Sequence, residues 1–246
     1  MVKNFPIGLG GLILLGTSIL FLFFTILPGV SDVTPLNKTY FLRATTGGIT
    51  GARQFSQWTY FYICGDDNLD CRDAKAALPF GYAWDSNANN VPDGLGGGYG
   101  SGTTSFKQFY MWRFGWVFII ITLFFEVLAF FSGFLACCGR LGSAISFFVA
   151  GLALVCHSVA SALFTSTFVI ARNKFQDAGR EASLGRYGFG WVWGSFAALF
   201  IATVLFATGI RGDKSRAAAT TSGGGFFRRN RSTRSFEGRR VKEEYS

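Results

Sequence analysis

The chain carries the sequence Trp-Thr-Tyr-Phe-Tyr-Ile-Cys at positions 58–64, and a second cysteine follows at Cys71. Aromatic and β-branched residues that alternate in this way are typical of a β-strand, with Trp58, Thr59 and Tyr60 opening the motif. Two cysteines this close, in a polar segment with seven Asp and no Glu, indicate a small disulfide loop in an oxidising compartment. A bridge between Cys64 and Cys71 would place this segment outside the cell or in the secretory lumen.

The rest of the chain consists largely of long apolar blocks. Half of its 246 residues are hydrophobic and 15% are charged, whereas soluble domains have about 25% charged residues. Four runs, at 7–27, 115–137, 144–170 and 188–210, are each long enough to cross a bilayer core of about 30 Å as a helix. The sequence therefore predicts an all-α membrane protein, a four-helix transmembrane bundle with a small extracellular β-sheet in the first outer loop.

The loops and termini follow from these spans. We expect the first run to be an uncleaved anchor, because it is longer than a signal-peptide core and ends without an Ala-x-Ala-like site. The remaining segments are a cytoplasmic N-terminus (1–6), a first extracellular loop (28–114), a cytoplasmic turn (138–143), a second extracellular loop (171–187) and a disordered basic tail (211–246). Short strand-like sequences are expected at Thr39–Leu42 and Trp58–Cys64, forming a sheet that offers an aromatic surface.

The orientation rests on two observations that agree. With both termini in the cytoplasm, that side carries twelve Lys and Arg against eleven on the other, a weak preference under the positive-inside rule. The tail holds ten of those twelve basic residues, which favours the inside, and the cysteine pair favours an outside location for the first loop.

Two features of the spans predict helix–helix contacts. Glu126 and His157 lie midway along the second and third spans, at similar depth in an antiparallel hairpin, and a carboxylate in hydrocarbon requires a partner. We expect interhelical bonding of Glu126 to His157, Ser158 or Ser161, with a proton-linked or conducting pair as the alternative. The fourth span has a stripe of small residues at i, i+4 spacing that is typical of a helix contact face: Gly190, Gly194, Ala198 and Ala202.

Several residues are candidates for modification. Cys137 and Cys138 lie where the second span ends, so both palmitoylation and unmodified interfacial thiols are open. Asn37 begins a glycosylation sequon close to the bilayer, and both a glycosylated and an unmodified side chain are open there. In the tail, Ser232 follows two arginines and is a candidate phosphorylation site.

The tail predicts affinity for the anionic cytoplasmic leaflet, including phosphoinositides, because each basic residue near such a surface contributes about 1 kcal/mol. A tail that only sets topology and solubility is the alternative. Its candidate lipid-binding residues are Arg228, Arg229, Arg231, Arg234, Arg239 and Arg240. No catalytic set, metal-ligand cluster or phosphate-binding loop can be assembled from the sequence, so we expect no enzyme activity, cofactor or nucleic-acid partner.

Three stretches of this sequence resemble a known family. They are Gln57-Trp58-Thr59 leading to Cys64 and Cys71, the step Tyr110–Phe114 into the second span, and Asn173–Asp177 with Ala182–Gly185 before the fourth. With four spans and a long first loop, the chain resembles claudin-like tetraspan proteins and, more closely, the fungal Sur-seven/PalI family.

The resemblance implies a non-enzymatic scaffold in plasma-membrane microdomains (eisosomes, MCC), linked to the cell cortex, cell-wall integrity and endocytosis. The implied partners are membrane lipids, itself or other tetraspans, eisosome coat proteins and cell-wall components. An accessory role in ambient-pH sensing is the first alternative, and a channel or transporter is the second.

Overall fold

Four long helices and a small sheet make up the computed structural model, which describes residues 5–136 and 140–224. The helices are α1 (Phe5–Ile26), α3 (Phe106–Ala136), α4 (Arg140–Asp177) and α5 (Arg186–Gly224), and α2 is a single turn at Tyr99–Gly102. Each long helix contains a stretch long and apolar enough to cross a membrane. The four-helix transmembrane architecture is therefore confirmed.

The helices extend beyond the predicted spans. The helix α3 begins at Phe106 instead of near residue 115, which adds about 14 Å at the rise of an α-helix. The helix α4 continues to Asp177, into the segment expected to be a loop. The helix α5 continues to Gly224, into the segment expected to be a tail. The expected disorder of 211–224 is thus not observed, and residues 225–246 lie outside the described residues.

The bundle consists of two closely packed helix pairs, α3 with α4 and α1 with α5. The chain joins α3 to α4 within a few residues, so these two form the expected antiparallel hairpin. At one end of the bundle lies a cap, formed by residues 27–105 and 178–185.

The cap contains four strands: β1 (Leu42–Thr45), β2 (Phe55–Trp58), β3 (Ile63–Cys64) and β4 (Ala182–Leu184). They form one antiparallel sheet in the order β3-β2-β1-β4. The strand β4 comes from the segment between α4 and α5 and pairs with β1, so that both loops of the chain contribute to one sheet. The sequence did not predict this fourth strand.

The prediction of one strand over Trp58–Cys64 is wrong. Trp58 pairs with Ile63 across a tight hairpin, whose tip is Tyr60 and Phe61. The Thr59 hydroxyl donates to Tyr62 O (3.0 Å) and accepts from Tyr62 N (3.2 Å), which holds the reversal. The strand-like segment at Thr39–Leu42 also shifts, since β1 begins only at Leu42.

Most aromatic side chains in and beside the sheet pack toward the bundle, whereas Phe55 of β2 is partly exposed beside Arg43. Phe41 stacks on Phe168 of α4 (5.2 Å between centroids), and Trp58 stacks on Phe80 of the cap (4.8 Å). We call this buried cluster the aromatic joint: Phe41, Trp58, Tyr60, Phe80, Trp112, Phe164, Phe168 and Phe175. The expected aromatic surface is therefore largely buried, because the cap-side ends of α3 and α4 cover it.

Phe164 lies at the centre of the joint. Its ring is 5.1 Å from that of Phe41, 5.0 Å from that of Trp112 and 6.1 Å from that of Tyr60. Aromatic pairs contribute about 0.5–1.5 kcal/mol each beyond the area that they bury. The joint therefore binds the cap to the bundle as part of one continuous core.

The hairpin tip adds a hydrogen bond to this packing. Tyr60 is fully buried, stacks on Trp116 (5.2 Å) and donates its hydroxyl hydrogen to Trp116 O (2.7 Å). Burial raises the pKa of Tyr60, so its hydroxyl remains a donor at physiological pH.

Replacing Tyr60 should separate these two contributions. Tyr60→Phe removes one buried hydrogen bond and should lower the free energy of unfolding by about 1 kcal/mol. Tyr60→Ala removes the ring as well and should cost about 3–5 kcal/mol. Thermal unfolding in detergent measures both, with Tyr99→Phe as the control, since Tyr99 is 41% exposed. Equal, small losses in the two Tyr60 variants would show that the hairpin tip does not anchor the cap.

Candidate functional site

Glu126 and His157 face each other in the interior of the bundle. Glu126 on α3 and His157 on α4 are both fully buried, and His157 Nδ1 lies 3.6 Å from Glu126 Oε1. The sequence predicted this proximity from the equal depth of the two residues in an antiparallel hairpin. Neither Ser158 nor Ser161 contacts the Glu126 carboxyl group, because their hydroxyls donate to the Val155 and His157 carbonyls of α4 itself.

Two serines from the other helices complete the site. Ser18 Oγ on α1 lies 3.0 Å from Glu126 Oε1 and 2.9 Å from the backbone O of Ser195 on α5. Ser195 Oγ lies 3.2 Å from His157 Nε2. These four residues, one from each long helix, form a closed arrangement that we call the polar ring. Sequence reasoning missed both serines, although Ser18 lies near the middle of its span.

The polar ring fixes the relative depth and rotation of all four helices. An unpartnered polar group in a membrane interior costs several kcal/mol, and here both serine hydroxyls, Glu126 Oε1 and His157 Nε2 lie within hydrogen-bond distance of a group on a different helix. Glu126 Oε2 and His157 Nδ1 have no hydrogen-bond partner. Sliding or rotating one helix would break contacts to two others. The ring is therefore a specific lock for the bundle, in agreement with the expected interhelical bonding.

Apolar side chains close the bundle on both sides of the ring. Leu15 and Leu22 lie on α1 before and after Ser18, and Val192 and Leu199 flank Ser195 on α5. All four side chains are fully buried. Buried polar side chains lie one turn away on the other two helices, at Thr122 of α3 and Ser161 of α4, and their hydroxyls donate to carbonyls of their own helix.

The small residues of α5 meet α1 over part of the predicted stripe. A side chain at Gly194 would lie 3.2 Å from the Phe21 ring, and Ala198 and Ala202 are buried. Gly190 is exposed and has no other segment within 4 Å of its Cβ position. The contact face therefore begins at Gly194 and does not include Gly190.

In the cap, the disulfide between Cys64 and Cys71 closes the loop after β3, as predicted. Asn68, inside this loop, is buried, and its side-chain amide donates to Leu36 O (3.0 Å) and Thr39 O (2.8 Å). Its backbone N donates to Gln57 Oε1 (3.0 Å). The disulfide loop is thus held to the segment that follows α1 and to β2.

A bidentate ion pair joins the same loop to β1. Arg43 Nε and Nη2 donate to Asp66 at 2.8 and 3.0 Å, and Gln57 Nε2 donates to it at 3.2 Å. The hydrogen bond from Arg43 lowers the pKa of Asp66 and raises that of Arg43. Local sequence patterns carry no signal for this pairing, because the partners are 23 residues apart along the chain.

A second arginine links the two loops of the chain. Arg180, after α4, donates from Nη1 to Gly47 O (2.7 Å) and from Nη2 to Asn90 O (3.3 Å). These carbonyls belong to two separate turns of the cap. Arg180 therefore connects the second loop to the first, next to the pairing of β4 with β1.

The remaining predicted residues divide into described and undescribed ones. In the motif Trp58-Thr59-Tyr60, Trp58 donates its indole hydrogen to Phe80 O (2.9 Å). Thr59 and Tyr60 belong to the hairpin turn. Asn37 is half-buried in a 3₁₀ turn (Leu36–Lys38), and its side chain accepts a hydrogen bond from Thr34 (3.3 Å). The residues outside the described ranges are Cys137, Cys138, Ser232 and the six tail arginines.

Within residues 5–136 and 140–224, no group of three or more His, Cys, Asp or Glu side chains is arranged to hold a metal ion.

Substitutions in the polar ring should distinguish a lock from an incidental contact. Glu126→Ala removes one of the two neighbours of Ser18 and of His157 in the ring and opens a cavity, so we expect a loss of about 2–4 kcal/mol in unfolding free energy. Glu126→Gln keeps the shape and the hydrogen-bonding capacity and should cost less than half as much. Unfolding in detergent measures both, with Ser158→Ala as an exposed control on α4. Equal stability of Glu126→Ala and Ser158→Ala would contradict the lock.

The Arg43–Asp66 pair should make the cap sensitive to acid. Because the folded-state pKa of Asp66 lies below its usual value of about 4, its stabilising effect is present above that pH and is lost as the pH falls through the folded-state pKa. Asp66→Asn should cost up to about 1 kcal/mol near neutral pH, since the pair is partly exposed. The difference from wild type should shrink below about pH 4. A difference that persists in acid, or one matched by Asp93→Asn, would exclude this role.

Comparison with known proteins agrees with the geometry. The model of the SUR7/PalI family matches residues 7–205, which include the cap, the first three apolar stretches and most of the fourth. Protein SUR7 of Candida albicans is 30% identical over 199 residues, covering 80% of this chain and 72% of that protein.

Two proteins of Saccharomyces cerevisiae are similar to this chain to a comparable extent. SUR7 family protein FMP45 is 30% identical over 212 residues, covering 80% of this chain and 65% of its own length. Plasma membrane protein YNL194C, which is described as uncharacterized, is 26% identical over 220 residues, covering 84% and 70%. With a family match over most of its length and a relative at this level of identity, the chain is a multi-pass membrane protein that belongs to the SUR7/PalI family.

Proposed function

We propose that this protein is a non-enzymatic scaffold of plasma-membrane microdomains of the eisosome/MCC type, connecting the cell cortex to cell-wall integrity and endocytosis. The observation that carries the proposal is the family match over residues 7–205. The matched region contains the cap and most of the bundle, so the family model covers both parts of the molecule.

The packing of the bundle supports a structural role. The polar ring uses its ionisable side chains to hold helices together, and fully buried apolar residues close the interior on either side. Exposed apolar side chains remain on the outer faces of all four long helices, including Ile13, Phe131, Phe148 and Phe200. Such faces suit contact with lipid or lateral assembly with further copies or other tetraspans.

The proposed orientation places the cap outside the cell and both termini in the cytoplasm. The disulfide in the cap supports this choice, because such bonds persist in oxidising compartments. The basic tail would then lie beside the anionic inner leaflet and the eisosome coat, and the cap would face the cell wall. Phosphoinositides are the proposed lipid partners of the tail.

An accessory role in ambient-pH sensing is the second candidate. The buried Glu126–His157 pair favours it, because a change in protonation of either group would alter the contacts that hold four helices. A channel or transporter receives less support, since apolar residues flank the ring.

Localisation of the tagged full-length protein in Saccharomyces cerevisiae tests the scaffold directly. We expect stable patches at the cell surface that coincide with an eisosome coat marker, whereas an even distribution over the membrane would contradict the proposal. The double substitution Glu126→Gln with His157→Gln separates the two candidates. If the protein is a scaffold, the double variant should still reach the patches. If it is a sensor, the double variant should reach its normal location but should no longer respond to external pH.

A further inference from the structure

Three apolar side chains of the cap are exposed beside the end of α1. Val33 is 66% exposed, Val30 is 60% exposed and Leu69 is 53% exposed. Most other large apolar residues of the cap are buried in the core that includes the aromatic joint. We call these three residues the apolar shoulder.

Hydrogen bonds connect the parts of the chain that carry the shoulder. Val30 N donates to Leu27 O (3.1 Å), at the end of α1, and Leu36 N donates to Val33 O (2.8 Å). The Asn68 side chain donates to Leu36 O (3.0 Å), and Leu69 is the next residue in the disulfide loop. The segment after α1 and the disulfide loop are therefore one connected surface.

A contact to α5 indicates the depth of this surface in the membrane. Trp191 Nε1 donates to Thr39 Oγ1 (3.2 Å), and the Trp191 ring packs on Phe21 and Phe24 of α1. Trp191 precedes Leu199, the midpoint of the predicted fourth span at 188–210, by eight residues, which is about 12 Å along a helix. The half-thickness of a hydrocarbon core is about 15 Å. The segment around Thr39 thus lies near the boundary between hydrocarbon and headgroups.

The shoulder also continues the exposed apolar face of α1. Along that helix Leu20 (49%), Phe23 (44%) and Leu27 (38%) are exposed at helical spacing. Val30 and Val33 follow after the helix has ended, with the exposed Asp32 between them. Exposed apolar side chains thus continue from the membrane-spanning helix into the first residues of the cap, which fits contact with the same lipid phase.

We propose that Val30, Val33 and Leu69 contact the lipid of the cap-side leaflet, at the boundary between its acyl chains and its headgroups. The disulfide loop is then a membrane-contacting element, held at this depth by Asn68. Lys38, exposed in the adjacent 3₁₀ turn, supplies a positive charge suited to headgroup phosphates. The proposal requires neither the scaffold role nor a particular orientation across the membrane.

Photo-crosslinking in vesicles tests this contact. The photoreactive residue p-benzoylphenylalanine is placed singly at positions 33, 69 and 183 of the full-length protein, in vesicles of tritium-labelled phosphatidylcholine. Ser183, exposed in β4, serves as the control. Absence of free thiols at Cys64 and Cys71 verifies that each labelled protein retains its disulfide.

We expect irradiation to transfer at least about fivefold more labelled lipid to positions 33 and 69 than to position 183. Equal labelling at all three positions would overturn the proposal. Crosslinks at 33 and 69 to a second copy of the chain in place of lipid would overturn it as well, and would identify the shoulder as an interface between copies.

Discussion

The contact between the sheet region and the cap-side ends of α3 and α4 is the interaction on which the rest of this structure depends. A four-stranded sheet with strands of two to four residues has too little apolar area to be stable alone. It gains a core only because Phe41, Trp58 and Tyr60 pack against rings from α3 and α4. The disulfide, Asn68 and Arg180 then hold the loops around a sheet that the helices already support.

The aromatic joint and the polar ring are close together. Phe164 of the joint follows His157 of the ring by seven residues on α4, which is about 10 Å along the helix. One helix therefore carries both the lock of the bundle and the support of the cap. A disturbance of the ring that shifts α4 would reach the sheet through Phe164. This arrangement gives a physical basis for both candidate functions, as a rigid scaffold or as a body that transmits a change in protonation.

Local sequence patterns were sufficient to predict the spans, the disulfide and the Glu126–His157 proximity. Each of these follows from composition, spacing or depth along the chain. Contacts between distant segments were beyond such reasoning. Ser18 and Ser195 are ordinary serines in their own spans, and only the packing of four helices makes them partners of Glu126 and His157. Likewise, β4 is too short to be recognised before β1 is present to pair with it.

The hairpin at residues 58–64 shows why one prediction failed. Alternating aromatic residues fit a strand equally well whether or not the chain reverses direction, and here the stacking of Tyr60 on Trp116 decided the outcome. The same alternation gave the expectation of an exposed aromatic surface. The cap-side ends of α3 and α4 reversed that expectation, since Trp116, Phe164 and Phe168 inside the spans, together with Trp112 and Phe175 beyond them, form the surface on which those rings are buried.

Hydrogen exchange of the sheet amides in the Phe164→Ala variant is the most direct test of a cap that is fused to the bundle. Phe164 belongs to α4 and lies outside the cap, so a cap with its own stability would not respond to its loss. We predict faster exchange of the amides in β1 and β2 while the α3 and α4 amides stay protected, and no change in Phe148→Ala, whose ring is 73% exposed on the same helix. Unchanged protection of β1 and β2 in Phe164→Ala would contradict the account.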